Sequence, residues 1–202
     1  MWGAHLTASG WGKVSSDRLA FTQGNTVTGA PNVYVLPPGV GREPVPLAPG
    51  RFAEGSPMFS PDGSWVAYAS NESGRPEIYA QPWPGPGPKI QISTEGGTDP
   101  TWSQKSGELF YRNGDRMMAC AVRTGSQLTV SKPQLLWSGH YSHGMSSSCG
   151  PPGPTSNNYD VSADGKRFLM IEDKDQDVVG RQLIVVLNWA EELKSHAPPG
   201  SR

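Results

Sequence analysis

An excess of charge of either sign is missing from this chain of 202 residues: 17 Lys and Arg stand against 18 Asp and Glu, a formal charge of −1. No segment concentrates basic residues. Neutralising a phosphate backbone takes such a concentration, so nucleic acid is not an expected partner. Long hydrophobic runs are missing as well. The longest purely aliphatic stretch, Leu183 to Leu187, is far too short to cross a bilayer, and Met1 to Ala20 holds no continuous apolar segment of the kind an export signal needs. No membrane insertion is expected, and the compartment stays open. Cysteine is scarce. Cys120 and Cys149 are too few for a disulfide framework and show no metal-ligand spacing; Cys120, inside the strand-like run Met117 to Val122, reads as a small buried hydrophobe.

The local marks of common enzymes are also lacking. There is no G-x-S-x-G elbow for a nucleophilic serine, no G-x-x-x-x-G-K-[ST] loop for a nucleotide and no H-E-x-x-H pair for zinc. An enzyme built from this chain would have to assemble its site from residues distant in sequence.

What the chain has in plenty is punctuation: 25 Gly and 20 Pro, together with seven Trp and six Tyr to fill a core. Many short strands joined by many turns are expected. The clearest turn is Phe59-Ser60-Pro61-Asp62-Gly63, followed at once by Ser64-Trp65-Val66-Ala67-Tyr68. Proline presets φ and glycine frees it, so this is a tight turn between two strands. It returns around Ser103 before Glu108-Leu109-Phe110-Tyr111, and around Ser162 before Lys166-Arg167-Phe168-Leu169-Met170. The turn serine recurs at 60, 103 and 162, first 43 and then 59 residues apart. Four strands in about 45 residues is the period of a propeller blade.

One unit runs through Pro57–Ser60, Trp65–Ser70, Glu77–Gln81 and Lys89–Ile92. The next runs through Pro100–Ser103, Glu108–Arg112, Arg116–Val122 and Gln134–Trp137. The last runs through Tyr159–Ser162, Phe168–Ile171 and Gln182–Asn188, without an obvious fourth strand. Ahead of them, Arg18–Phe21, Asn32–Leu36 and Glu43–Leu47 supply the second, third and a weak fourth strand of a unit whose innermost strand must come from residues 1–16 or from elsewhere. The extra residues of the longer spacing fall in the Ser, Gly and Pro loop from Ser142 to Asn157. After the last strand, Asn188 with Glu191 three positions on forms a capping box for a short helix before Pro198-Pro199.

The turn with Ile78-Tyr79 downstream resembles the repeat of the TolB-like (WD40-like, PD40) β-propellers. The similarity continues in Glu77-Ile78-Tyr79 to Pro82-Trp83-Pro84-Gly85, in Asn158-Tyr159-Asp160-Val161-Ser162 and in the ending Val186-Leu187-Asn188-Trp189 with Glu191-Glu192-Leu193. These runs are similar to the C-terminal propeller of large bacterial proteins that carry a Ser/Thr protein kinase at the other end; no kinase motif is present in this chain. The resemblance implies an all-β propeller of about four four-stranded blades over residues 17–194, with a partial strand or arm over 1–16, the short helix, and a tail over 195–202. Such a ring is either incomplete or closed by the N-terminal residues or by homo-oligomerisation through open blade edges. Propellers of this family often lie outside the cytoplasm.

The same resemblance implies a top face where residues 51–54, 95–99 and 140–158 meet the loops 71–75, 112–116 and 172–181. Arg51, Arg75, Arg112, Asn158 and Trp83 are the ligand-binding candidates there. Glu54 and Asp99 take equivalent places before two inner strands; they read either as a general acid and base pair or as caps paired with Arg51, Arg75 or Arg112. His140 and His143, with Cys149 nearby, read either as ligands of a divalent metal or as solvated loop residues. The D-x-D-x-D run at Asp173, Asp175 and Asp177 fails as a calcium loop, because Val178 and Ile184 stand where glycine and glutamate are needed. Trp83 either contacts a partner or sugar from an exposed hairpin or packs back onto its own blade. No cofactor is expected beyond that metal. The expected function is a non-catalytic module binding a protein or small ligand; the alternative is a small hydrolase acting on a sugar or lactone.

Overall fold

Strand-like runs of four to eight residues cut by Gly, Pro, Asp and Ser can bury their faces only by stacking sheet on sheet, and that is the arrangement found. The structure, a computed structural model, describes residues 18–24, 29–85, 87–125, 127–142 and 158–172 and the backbone of 182–186. Four antiparallel sheets follow one another along the chain. The first holds β1 (Leu19–Gly24), β2 (Pro31–Leu36) and β3 (Val45–Pro46). The second holds β4 (Glu54–Phe59), β5 (Trp65–Ser70), β6 (Glu77–Pro82) and β7 (Ile90–Gln91). In the third, β8 (Thr98–Trp102), β9 (Glu108–Asn113) and β10 (Arg116–Arg123) are flanked by β11 (Thr129–Val130) and β12 (Gln134–Ser138). The fourth holds β13 (Tyr159–Val161), β14 (Phe168–Glu172) and β15 (Gln182–Val186). No helix occurs among the described residues.

The repeated turn is built identically in the second and fourth sheets. Ser60 Oγ donates to Asp62 Oδ1 at 2.6 Å and accepts the Trp65 amide at 3.0 Å, and Ser162 does the same with Asp164 and Arg167 at 2.6 and 3.0 Å. Gly63 and Gly165 close the turns at φ 70° and 75°, where a side chain would be strained. Burial opposes ionisation of Asp62, but hydrogen bonds from Ser60, Thr124 and Ser64 outweigh it and hold the carboxyl down to about 2.

The inner strands β4 and β8 begin earlier than the sequence suggests, at Glu54 and Thr98 rather than at the prolines. Each carries a bulge, between Gly55 and Met58 and between Thr98 and Thr101, and each bulge contains a proline that cannot donate to the ladder. Pairing resumes beyond it. The outer edge of the third sheet is split, where a single strand is expected. β10 is longer than β9, so its far end, Val122 and Arg123, pairs with β11 while Arg116 to Ala119 pair with β12.

Alternation assigns each strand face to a junction between sheets. Ala20, Val33, Val35 and Leu47 of the first sheet meet Phe59, Val66 and Tyr68 of the second. Trp65, Ala67, Ala69, Ile78 and Ile92 on the other face of the second sheet meet Trp102, Leu109, Tyr111 and Cys120 of the third. Phe110, Met117 and Leu136 then meet Tyr159, Val161, Phe168 and Met170 of the fourth. Every residue of β5 is therefore buried. Each large apolar side chain so buried stabilises the stack by about 1.5–3 kcal/mol. The Trp102 indole crosses its junction to donate to the Met58 carbonyl at 2.9 Å. Sheets stacked in chain order, each with its innermost strand first, are propeller blades. Among the described residues the cores join the first blade to the second, the second to the third and the third to the fourth, and none joins the first to the fourth, consistent with an incomplete propeller. The first blade lacks an innermost strand among those residues, and residues 1–16, the loop 143–157 and the helix expected after Asn188 lie outside them.

Candidate functional site

Hydrogen bonds tie the loops of one rim together in sequence. Asn32 Nδ2 donates to the Phe52 carbonyl at 3.0 Å. The Ala53 amide donates to Asn71 Oδ1 at 2.9 Å, and the Asn71 amide returns to the Ala53 carbonyl at 3.1 Å. Gly97 N–H bonds the Pro76 carbonyl at 2.9 Å, and Gly139 N–H bonds the Asp115 carbonyl at 2.9 Å. Arg112 donates to the carbonyls of Ser142 at 2.6 Å and Tyr141 at 3.1 Å, and Asn158 Nδ2 reaches the same Ser142 carbonyl at 3.4 Å. The segments 51–54, 71–77 and 92–97 are thus tied together, as are 112–116, 139–142 and Asn158, and the pairing of Thr98 with Arg112 sets both groups on one rim.

Glu54 and Asp99 are not at equivalent positions, and the expectation that they are is corrected by the register. Phe59 and Trp102 end the two inner strands before the turn serines, so the counterpart of Asp99 is Ser56 and the counterpart of Glu54 is Gly97. Ser56 and Asp99, each preceding the proline of a bulge, share a left-handed backbone with φ 51° and 54°. They also touch: Ser56 Oγ donates to Asp99 Oδ1 at 3.2 Å. Thr98 Oγ1 donates to Asp99 Oδ2 at 3.1 Å, and the Tyr159 hydroxyl donates to the Asp99 carbonyl at 2.7 Å. Burial pushes the Asp99 carboxyl up to about 6, against the hydrogen bonds from Thr98 and Ser56 and the charge of Arg112.

Glu54, 3% exposed, accepts the Val33 amide at 3.1 Å across the junction between the first two blades. Burial pushes its carboxyl up to about 7; the Val33 amide and Lys89 oppose this, and Glu72 adds to it. The next junction solves the same problem differently. Leu47 N–H bonds the Val33 carbonyl at 2.9 Å and Ile92 N–H bonds the Ile78 carbonyl at 2.8 Å, which makes Val33 and Ile78 counterparts and Ala48 the counterpart of Ser93. The Ile78 amide is met by Ser93 Oγ at 2.7 Å. A Cβ on Gly97 would lie 2.6 Å from that hydroxyl and 2.7 Å from Ile78 Cγ1, so the place of Glu54 has to be left empty there.

Ser93 Oγ also donates to Glu77, a buried carboxylate that takes Arg75 Nε at 2.8 Å and the Gly96 amide at 2.9 Å. Arg75, with its side chain 55% exposed, donates further to the Thr94 carbonyl and lines a cleft of about 430 Å³ with Ser73, Gly74, Glu77, Gln91 and Thr94.

No family model matches the chain, and no curated protein matches it. Among solved structures it is similar to TolB. The putative TolB of Agrobacterium tumefaciens is 15% identical, with 64% of this chain and 48% of that one covered and a TM-score of 0.49. The TolB of Acinetobacter baumannii is 18% identical, with 86% and 51% covered and a TM-score of 0.44. Sqt1 of Chaetomium thermophilum is 13% identical, with 90% and 43% covered and a TM-score of 0.47. The chain spans about half the length of the two TolB structures. The fold rests on the four sheets themselves, and none of these likenesses assigns a site.

The remaining expected residues fall in different surroundings. Arg51 is exposed, its guanidinium 5.4 Å from the centre of the Phe52 ring. Trp83 is half-buried and packs against the core between the first two blades. Arg112 is 1% exposed and holds the carbonyls at the root of the loop that leads to Asn158. His140 Nδ1 lies 2.9 Å from Asp115 Oδ2, while His143 lies outside the described residues. Among the described residues no three His, Cys, Asp or Glu side chains gather as for a metal. Sequence reasoning passed over Ser56, Glu77 and Ser93, whereas Arg75, a ligand-binding candidate from the sequence, lines the cleft. The dipeptides Ser56-Pro57 and Asp99-Pro100, 43 residues apart like the turn serines, were the signal for Ser56.

Proposed function

We propose that the chain is a non-catalytic binding module that takes a protein or a small ligand on the rim formed by these loops. The observation that supports this most is the contrast along the rim: Glu54, Asp99 and Arg112 are buried in bonds between blades, whereas Arg51 and Arg75 stand exposed on loops that hydrogen bonds hold in place. A rigid scaffold with exposed polar loops is the usual form of a recognition surface. The test uses the immobilised chain and its Arg51→Ser/Arg75→Ser double variant. A protein retained from a lysate should be lost with the double variant and kept with Lys166→Ser on the opposite rim. Retention indifferent to the double substitution would remove this reading.

A second reading, a small hydrolase with Glu54 and Asp99 as its acid and base, is favoured by one observation: burial pushes both carboxyls up, Glu54 to about 7 and Asp99 to about 6, so that near neutral pH Glu54 is the better proton donor and Asp99 the better acceptor. Hydrolysis of a nitrophenyl glycoside or a simple lactone that disappears in both Glu54→Gln and Asp99→Asn would put it first.

A further inference from the structure

We propose that the cleft at Arg75 binds a carboxylate presented by a partner protein, with Arg75 as the recognising residue. This rests on the reading of the chain as a binding module and names the chemistry its rim selects. Arg75 is a half-exposed side chain already fixed in place. Nε is held by the buried Glu77 at 2.8 Å, and Nη2 donates to the Thr94 carbonyl. The loop beneath it is closed by Gly74 N–H to the Asn71 carbonyl at 2.9 Å and by Gly97 N–H to the Pro76 carbonyl at 2.9 Å. Nη1 has no partner among the described residues. The rotamer freedom that a free surface arginine loses on binding is therefore already gone, and the planar fork that remains matches a carboxylate edge.

Glu77 does not cancel this role. It sits behind the guanidinium, 1% exposed, and its charge is shared with Ser93 Oγ and the Gly96 amide. The rest of the lining suits an acidic residue within a peptide. Gln91 Nε2 is engaged with the Ser93 carbonyl at 2.8 Å, which leaves Oε1 to accept a main-chain N–H from the partner. Thr94, exposed beside it, brings a hydroxyl. A cleft of about 430 Å³ accommodates one acidic residue and its backbone, with no aromatic wall for a sugar face. Glu77 and the exposed Glu95, next to Thr94 in the chain, weigh against a dianion such as phosphate.

The experiment titrates the full chain, isotope-labelled, with a capped peptide carrying one aspartate, with the same peptide carrying asparagine, and with inorganic phosphate, reading backbone amide shifts. The aspartate peptide should move the amides of Ser73, Gly74, Gln91 and Thr94 with millimolar affinity. The asparagine peptide should move them at about tenfold higher concentration or not at all. Arg75→Lys keeps the charge but loses the fork, and should weaken the aspartate peptide by about fivefold with an otherwise unchanged spectrum. Glu95→Gln should strengthen it by about twofold. Equal response to both peptides, no response at these amides, or tighter binding of phosphate would overturn the proposal. Shifts confined to residues 112–116 and 139–142 would also overturn it, while leaving the binding-module reading intact.

Discussion

The junction between the first and second blades and the one between the second and third face one problem, an inward amide on the third strand, and fill it with opposite chemistry. At Val33 the partner is a carboxylate, Glu54, and the position from which a hydroxyl could act is Ala48. At Ile78 the partner is the hydroxyl of Ser93, and the position of the carboxylate is Gly97. The first junction also leaves the buried Tyr68 hydroxyl without a partner among the described residues, whereas in the second Glu77 and Ser93 satisfy one another. Equivalent blades need not carry equivalent residues: what is kept is the filled slot. The group that meets the amide is consequently titratable at Val33 and not at Ile78.

The comparison breaks most sharply at Gly97. Gly97→Ala places a methyl against Ser93 Oγ and Ile78 Cγ1, and should cost about 3 kcal/mol by denaturant midpoint at constant slope. The next effect belongs to pH. The folded-state pKa of Glu54, about 7, lies above its ordinary 4.5, so the native state holds a proton that the unfolded chain has released between those values. Stability contributed by the protonated form is present below about pH 4.5 and falls as pH rises towards 7, by roughly 2–3 kcal/mol. Glu54→Gln should flatten that fall and leave the protein more stable than the parent at pH 8; an unchanged profile would show that Glu54 is solvated. Asp99, raised from 3.8 to about 6, adds a slope of the same sign at lower pH, so Asp99→Asn should flatten only that part.

Ser93→Ala orphans the Ile78 amide and takes a donor from Glu77, a loss of about 2 kcal/mol. Ser93→Ala with Gly97→Glu copies the first junction into the second. Because Ile78 Cγ1 would still lie 2.7 Å from the new Cβ, a stability slope near neutral pH without recovery of the Ser93→Ala loss is the expected result. The smallest effect lies in the turn. Asp62→Ala removes the acceptor of Ser60 Oγ and the Ser64 amide and should cost about 1 kcal/mol at pH 7. Because the Asp62 carboxyl is held near 2, below its ordinary 3.8, the parent keeps this contribution above about pH 4 and loses it as pH falls through 2.

The blades were legible in the sequence because their causes are local. Ser60, Asp62 and Gly63 close a turn by themselves, and the unbroken apolar run from Trp65 to Ala69 declares two buried faces before any partner is known. The site was less legible because its causes are differences between blades. Twelve residues separate Leu47 from Phe59 and ten separate Ile92 from Trp102, so counting along the chain misaligned Glu54 with Asp99. That Arg112 and Asn158 would meet at the Ser142 carbonyl depends on how a long loop returns, which no short pattern records. Trp83 sits in a proline-rich hairpin that reads as exposed, yet its amide bonds the Ser64 carbonyl at 2.8 Å and its ring turns in against the core.

No strand described here pairs outside its own blade. Each hairpin closes over a few residues, a small entropic cost met before any distant segment is needed. A chain of this kind can assemble in the order in which it leaves the ribosome, each finished blade offering its exposed face as the template for the next. Pulled from its ends, it should yield in steps of one blade rather than all at once.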